Sequence, residues 1–286
     1  MRHAAVRHED GLFAGVRGAR IYYQAWLPDG EPRAVLLLVH GLAEHAGRYK
    51  NLVSHFVPRG YAVHGIDHLG HGRSDGKRVY VRRFADFTDT LRTYVERLQA
   101  RHPEVPLFLI GHSLGALIAA ILLIEDQTPF AGAVLSGPLT QIPDHVSPIA
   151  VIASRILSVL VPKMGVAAVD ATGVSRDPAV VQGYLDDPLV TNGKTTARLG
   201  AEMLRAIQRL TAEASRITLP VLILQGTEDR LVDPSAARHL HAGIASPDKT
   251  LKLYPGLHHE IYNEPEHEQV LRDVKAWMER QLLSES

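Results

Sequence analysis

Ser113 stands at the centre of Gly111-His112-Ser113-Leu114-Gly115, between a short apolar run, PLFLI, and a longer one, LGALIAAILLIE. A serine between two such runs is either a helix cap or a nucleophile. The G-x-S-x-G spacing favours the nucleophile: a strand runs into a tight turn, the serine takes a strained backbone conformation, and a helix behind it points free N–H groups at a reacting carbonyl. Glycines two places to either side leave room where a side chain would strike the adjoining strand or helix.

A serine hydroxyl attacks only when a base takes its proton, so this chemistry needs a carboxylate and a histidine further along, in the order Ser, Asp or Glu, His. The run VLILQG is followed by TEDR, which places Asp229 three residues beyond Gly226 on a loop. Glu228 and Asp233 are rivals; Asp229 is preferred because its neighbour Glu228 points elsewhere and Asp233, in VDPSAAR, fits the cap of the next helix. Downstream, LKLYPGLHHEIYNEP offers His258 and His259, and composition does not choose between them. One ring nitrogen would face Ser113 while the acid orients the other. The oxyanion needs two N–H donors: Leu114, directly after the serine, and Leu42, on the loop that follows AVLLLVHG. His40 braces that loop. Glu44 and Arg48, four apart, fit an exposed helical ion pair, or else line the pocket as polar grips for hydroxyl groups.

These residues require a scaffold. AVLLLVHG, YAVHGIDHLGHG, PLFLIGHS, FAGAVLSGP, LPVLILQGTED and KTLKLYPGLHH have the length and aliphatic content of strands covered on both faces. Between and after them, RFADFTDTLRTYVERLQARH and EPEHEQVLRDVKAWMERQLL carry helical apolar spacing. The alternation predicts an α/β fold: a mostly parallel central sheet with helices on both faces. From Pro138 to Arg216 the alternation lapses, which predicts an inserted helical cap (138–216) above a core made of 1–137 and 217–286. Within it, Ile149 to Val161 is apolar with a single charge, Arg155. The run is shorter than the roughly 20 residues that span a bilayer, so it is either packed core or a face that meets lipid.

Composition excludes several classes. Lys plus Arg and Asp plus Glu both number 31 among 286 residues, so no net field favours nucleic acid. The chain has no cysteine, which removes thiolate catalysis and disulfide scaffolding. Its 16 histidines include no HExxH or similar ligand spacing, so no metal dependence is expected. The first twenty residues lack the apolar region of a secretory signal, which makes a cytoplasmic location the expectation.

The pieces HGLAEHAGRY, DHLGHGRSDGKR, GHSLG, SRDPAVVQGYLDDPLV, LQGTEDRLV and YPGLHHEIYNEPE together resemble a monoacylglycerol lipase of the bacterial type, within the serine α/β-hydrolases, over nearly the whole chain. The resemblance implies that His259 completes a triad with Ser113 and Asp229, and that His258 replaces an aromatic residue. It further implies that Glu44 and Arg48 help recognise glycerol and that Tyr184 contributes to the alcohol pocket, where His258 is a departure. Ala116 also departs, standing where another glycine is common. The implied reaction is hydrolysis of a monoacylglycerol or similar lipid ester through an acyl-enzyme, without a cofactor; separately, the apolar run from Ile149 to Val161 leads to the expectation of transient docking on a membrane or lipid droplet. A lysophospholipase or general carboxylesterase uses the same triad; a non-catalytic ligand receptor on this fold would lack one of its members.

Overall fold

The computed structural model describes residues 7–141 and 156–284. The six apolar runs form β3 (Ala34–Val39), β4 (Tyr61–Ile66), β5 (Leu107–His112), β6 (Gly132–Ser136), β9 (Val221–Gly226) and β10 (Lys249–Tyr254). They pair in parallel within an eight-stranded sheet of order β1-β2-β4-β3-β5-β6-β9-β10. The two remaining strands, β1 (Arg7–Ala14) and β2 (Arg20–Leu27), extend one edge antiparallel.

Burial on both faces explains why the central strands show no polar alternation. Val35, Leu37 and Val39 of β3 pack into a layer that contains α2 (Ala85–Arg101) and α3 (Leu114–Glu125). Leu36 and Leu38 point the other way, toward α1 (Lys50–Phe56) and α7 (His267–Ser284), where Phe56 and Trp277 are fully enclosed. Each aliphatic side chain buried this way contributes about 1.5–3 kcal/mol. The sheet is thus held from both sides, and the carboxyl ends of β3, β5 and β9 are fixed relative to one another.

Between β6 and β9 the described residues hold α4 (Pro178–Asp186) and α5 (Ala197–Glu213), together with a two-stranded ribbon, β7 (Gly165–Ala167) with β8 (Thr195–Thr196), that the helical expectation omitted. Helix α5 is strongly amphipathic: Leu199, Ala206, Ile207 and Leu210 join the core beside α3, while Thr196 caps its first turn by accepting from the N–H of Leu199. Helix α6 (Ser235–Gly243) follows β9. Of the apolar run from Ile149 to Val161, residues 149–155 lie outside the described residues, and 156–160 are helical. No helix among the described residues is long and apolar enough to cross a membrane.

Candidate active site

At the end of β5 the chain turns through Ser113, whose φ of 55° and ψ of −118° lie in the region L-residues avoid, and α3 begins at the next residue. The Ser113 side chain makes no capping hydrogen bond to α3, which excludes the helix-cap alternative. Its own N–H donates to Ser136 O at 2.9 Å, anchoring the turn to β6. A Cβ on Gly111 would stand 2.8 Å from Ala116 Cα, and one on Gly115 would overlap the carbonyl oxygens of Val39 and, at 2.5 Å, His40. The latter are backbone atoms at the end of β3 and do not yield without moving the loop that carries Leu42. Gly115→Ala is therefore expected to destabilise the protein by about 1–3 kcal/mol and to lower kcat more than it changes KM. Thermal unfolding and steady-state kinetics check both effects.

Asp229 is buried at the end of β9, and its Oδ2 lies 2.7 Å from Nδ1 of His259. The same oxygen accepts from Gln225 Nε2 at 2.8 Å, while Oδ1 accepts from the N–H groups of Leu231 and Val232. Burial penalises the Asp229 carboxylate, but His259 and the two amides outweigh it, and its pKa falls below the usual range. The carboxylate places the proton on Nδ1 of His259 and leaves Nε2 as the basic nitrogen. Burial disfavours the imidazolium, yet the charge and hydrogen bond of Asp229, reinforced by Glu260 and Glu44, raise the His259 pKa overall. Of the rival acids, Glu228 is exposed, and Asp233 accepts from the N–H of Ser235 at the start of α6.

Ser113 and His259 face one cavity of about 280 Å³. No hydrogen bond joins them in this conformation, a looseness common before substrate arrives. The cavity also touches Leu42, Glu44, Tyr184 and the apolar side chains of Leu139, Val169, Val174, Leu231 and Val232. His112 lines it too, its ring centroid 4.7 Å from that of His259, a placement that its position inside the pentapeptide does not reveal. Burial, then the neighbouring His259, pushes the His112 pKa down to about 3, so it stays neutral and does not compete as a charged group.

The loop after β3 is held on every side. His40 Nε2 accepts from the N–H of His68 at 3.0 Å, so Nδ1 carries the proton and donates to Gly41 O at 2.8 Å; the ring braces the loop, as expected. Among the described residues the N–H groups of Leu42 and Leu114 donate to no partner, whereas that of Gly41 is taken by Glu44 Oε1 at 2.6 Å. Glu44 and Arg48 are not an exposed helical pair. They are buried, 5% and 9% exposed, and Arg48 also binds Glu260 through both terminal nitrogens. Burial opposes the Arg48 charge, but Glu260 and Glu44 prevail and its pKa rises.

Arg48 and His258, both expected in the alcohol pocket, do not line the cavity; His258 is buried, and its Nδ1 lacks a hydrogen-bond partner. Tyr184 does line it, with its ring over the Arg48 guanidinium at 4.6 Å and its buried hydroxyl unpartnered. Glu260, to which sequence spacing gives no role, also contributes to the wall.

A serine on a strained strand-to-helix turn, over a parallel sheet and sharing a cavity with a carboxylate-bound histidine, defines a serine hydrolase of the α/β-hydrolase fold. Residues 30–266 match the serine aminopeptidase S33 family. A monoacylglycerol lipase of Mycolicibacterium smegmatis is 42% identical over 93% of this chain and 95% of its own. The human monoglyceride lipase is 34% identical over 91% of this chain and 87% of its own. The crystal structure of a monoacylglycerol lipase from Paleococcus ferrophilus superposes with a TM-score of 0.82 at 30% identity, covering 93% of this chain and 99% of that one. The chain belongs to the S33 family and, within it, to the monoacylglycerol lipases.

Proposed function

We propose that this protein hydrolyses monoacylglycerols to a fatty acid and glycerol, with Ser113, His259 and Asp229 as its catalytic residues. The observation that carries the reading is the 2.7 Å bond between Asp229 and His259 at the wall of the cavity into which the Ser113 turn opens. His259 Nε2 takes the Ser113 proton as Oγ attacks the ester carbonyl. The N–H groups of Leu42 and Leu114 receive the developing oxyanion, each worth about 2.7–4 kcal/mol of barrier. His259 then protonates the departing glycerol oxygen, and water, deprotonated in turn by His259, releases the fatty acid and restores Ser113.

Of the expected cap, 138–216, the described residues Leu139, Val169, Val174 and Tyr184 border this centre, which supports its reading as a cap. Leu139, Val169, Val174, Leu231 and Val232 offer an apolar wall to the acyl chain, and the unpartnered hydroxyl of Tyr184, a residue of the cavity wall, supports a role in binding an alcohol hydroxyl. Burial, followed by the charge of Glu44, raises the Tyr184 pKa and keeps that hydroxyl protonated. The nearby guanidinium of Arg48 is already shared between two carboxylates and does not line the cavity, so it offers no free cation to a phosphate. Turnover of monooleoylglycerol, lysophosphatidylcholine and p-nitrophenyl butyrate tests the choice. Preference for monooleoylglycerol in kcat/KM is expected; equal or better turnover of the other two overturns it.

The cap also carries an exposed apolar cluster, in which Val159 and Leu160 are 68% and 73% exposed and Ile156 and Met164 lie nearby in the chain with about half their surface free. Such a cluster supports docking on a membrane or lipid droplet to collect substrate. Replacing Val159 and Leu160 by Ser is expected to cut flotation with phosphatidylcholine liposomes at least tenfold, as the loss of two inserted aliphatic side chains implies. Unchanged flotation of a folded double variant overturns the docking.

A further inference from the structure

We infer that Arg48 is a positioning residue, a strap that ties the oxyanion loop to the histidine loop, rather than a ligand of the alcohol. The inference rests on the assignment of Leu42 as an oxyanion donor. Gly41, directly before Leu42, gives its N–H to Glu44 Oε1, and the Tyr49 hydroxyl donates to that same oxygen at 2.6 Å. Ala43, directly after Leu42, has a positive φ of 66°, and its carbonyl accepts from the N–H of Thr191 at 2.8 Å. The peptide that presents the Leu42 donor is therefore fixed through its two neighbours, one of them by Glu44.

Glu44 in turn depends on Arg48. The guanidinium Nη1 donates to Glu44 Oε2 at 2.9 Å and to Glu260 Oε1 at 2.5 Å, and Nη2 donates to Glu260 Oε2 at 2.9 Å. Glu260 adjoins His259, and its own N–H donates to Val174 O at 2.7 Å. One cation thus holds two buried carboxylates, each attached to a different half of the reacting centre. Without it, two like charges would face each other out of water with no counter-ion, and the two loops would be pushed apart.

Although both carboxylates border the cavity, they are engaged by protein donors. Glu44 accepts from Gly41, Tyr49 and Arg48, and Glu260 accepts from Arg48 and, at 2.9 Å, from Asn263. Arg48 does not reach the cavity wall, and its face is covered by Tyr184.

A strap and an alcohol ligand predict different kinetics. Displacing an oxyanion donor or the base slows every ester, whatever its alcohol, whereas losing an alcohol contact affects only esters that carry glycerol. Two variants are needed: Arg48→Met removes the strap, and Glu260→Gln keeps its shape while removing one charge, which guards against a fold that fails without Arg48. Both are assayed, after thermal unfolding verifies a folded chain, with monooleoylglycerol and p-nitrophenyl butyrate. The expected result is a loss in kcat of about 10²-fold with Arg48→Met, and a smaller loss with Glu260→Gln, equal for the two esters and with little change in KM. Arg48→Lys should restore part of the loss. A rise in KM confined to monooleoylglycerol overturns the inference in favour of alcohol binding, and unchanged kcat in a folded Glu260→Gln variant overturns it outright. Failure of the wild type to turn over monooleoylglycerol would overturn the substrate assignment alone, since the p-nitrophenyl ester still reads the strap.

Discussion

Ser113→Ala is expected to reduce kcat about 10⁶-fold, to the residual level left by binding and the oxyanion donors. It should also abolish labelling by a fluorophosphonate. The Ser113 side chain caps nothing in α3, and the strained turn is held by backbone bonds and by packing around Gly111 and Gly115, so the fold has little to lose. The unfolding midpoint should accordingly stay within a few degrees of the wild type. Steady-state kinetics on a purified variant, checked by labelling and by a melting curve, decide the matter. Appreciable hydrolysis by a folded Ser113→Ala protein would remove the serine from the reaction.

Asp229→Asn should lower kcat about 10⁴-fold at neutral pH, because an amide no longer compels the proton to sit on Nδ1 of His259. The pH profile supplies an independent mark. With neutral His259 as the proposed base, its raised pKa should place the acidic limb of kcat/KM above the ordinary imidazole value of 6.5, with activity falling as pH drops through that limb. Asp229 is the leading group that raises it against the cost of burial. Its removal should therefore move the limb toward lower pH while the maximal rate collapses. If Asp229→Asn leaves both the limb and the rate in place, another carboxylate orients the histidine.

Much of this arrangement is legible in the chain itself. Runs such as AVLLLV and VLILQG are buried on both faces, and continuous aliphatic character is the mark of such strands, so β3 through β6 and β9 stand out; β10, expected to be covered on both faces, is instead an edge strand whose lysines alternate with leucines and whose residues are mostly half-buried. The antiparallel edge does not. Strand β1 carries Arg7, Glu9 and Asp10 on a largely open surface, and its pairing with β2 is the only reason it is a strand. Ser113 and Asp229 are legible because each follows an apolar run at a fixed offset, and the choice of His259 over His258 came from the family resemblance rather than from spacing.

What spacing conceals is distance in sequence. Glu44 and Arg48, four apart, suggest a helical surface pair, because local spacing carries no information about Glu260, which meets Arg48 across 212 positions and draws the pair inside. His112 is hidden for the opposite reason. It occupies the variable place of a short motif, where only the packed site reveals that its ring lies against that of His259.

The most direct test of the account is to trap the covalent intermediate. The wild-type protein is mixed with excess p-nitrophenyl ester, whose good leaving group makes deacylation the slower step, and is quenched in acid within the burst before peptide mapping by mass spectrometry. One acyl group per protein is expected, carried on the peptide that contains Ser113. An acyl group on another peptide, or a burst with no acylated peptide, would contradict it.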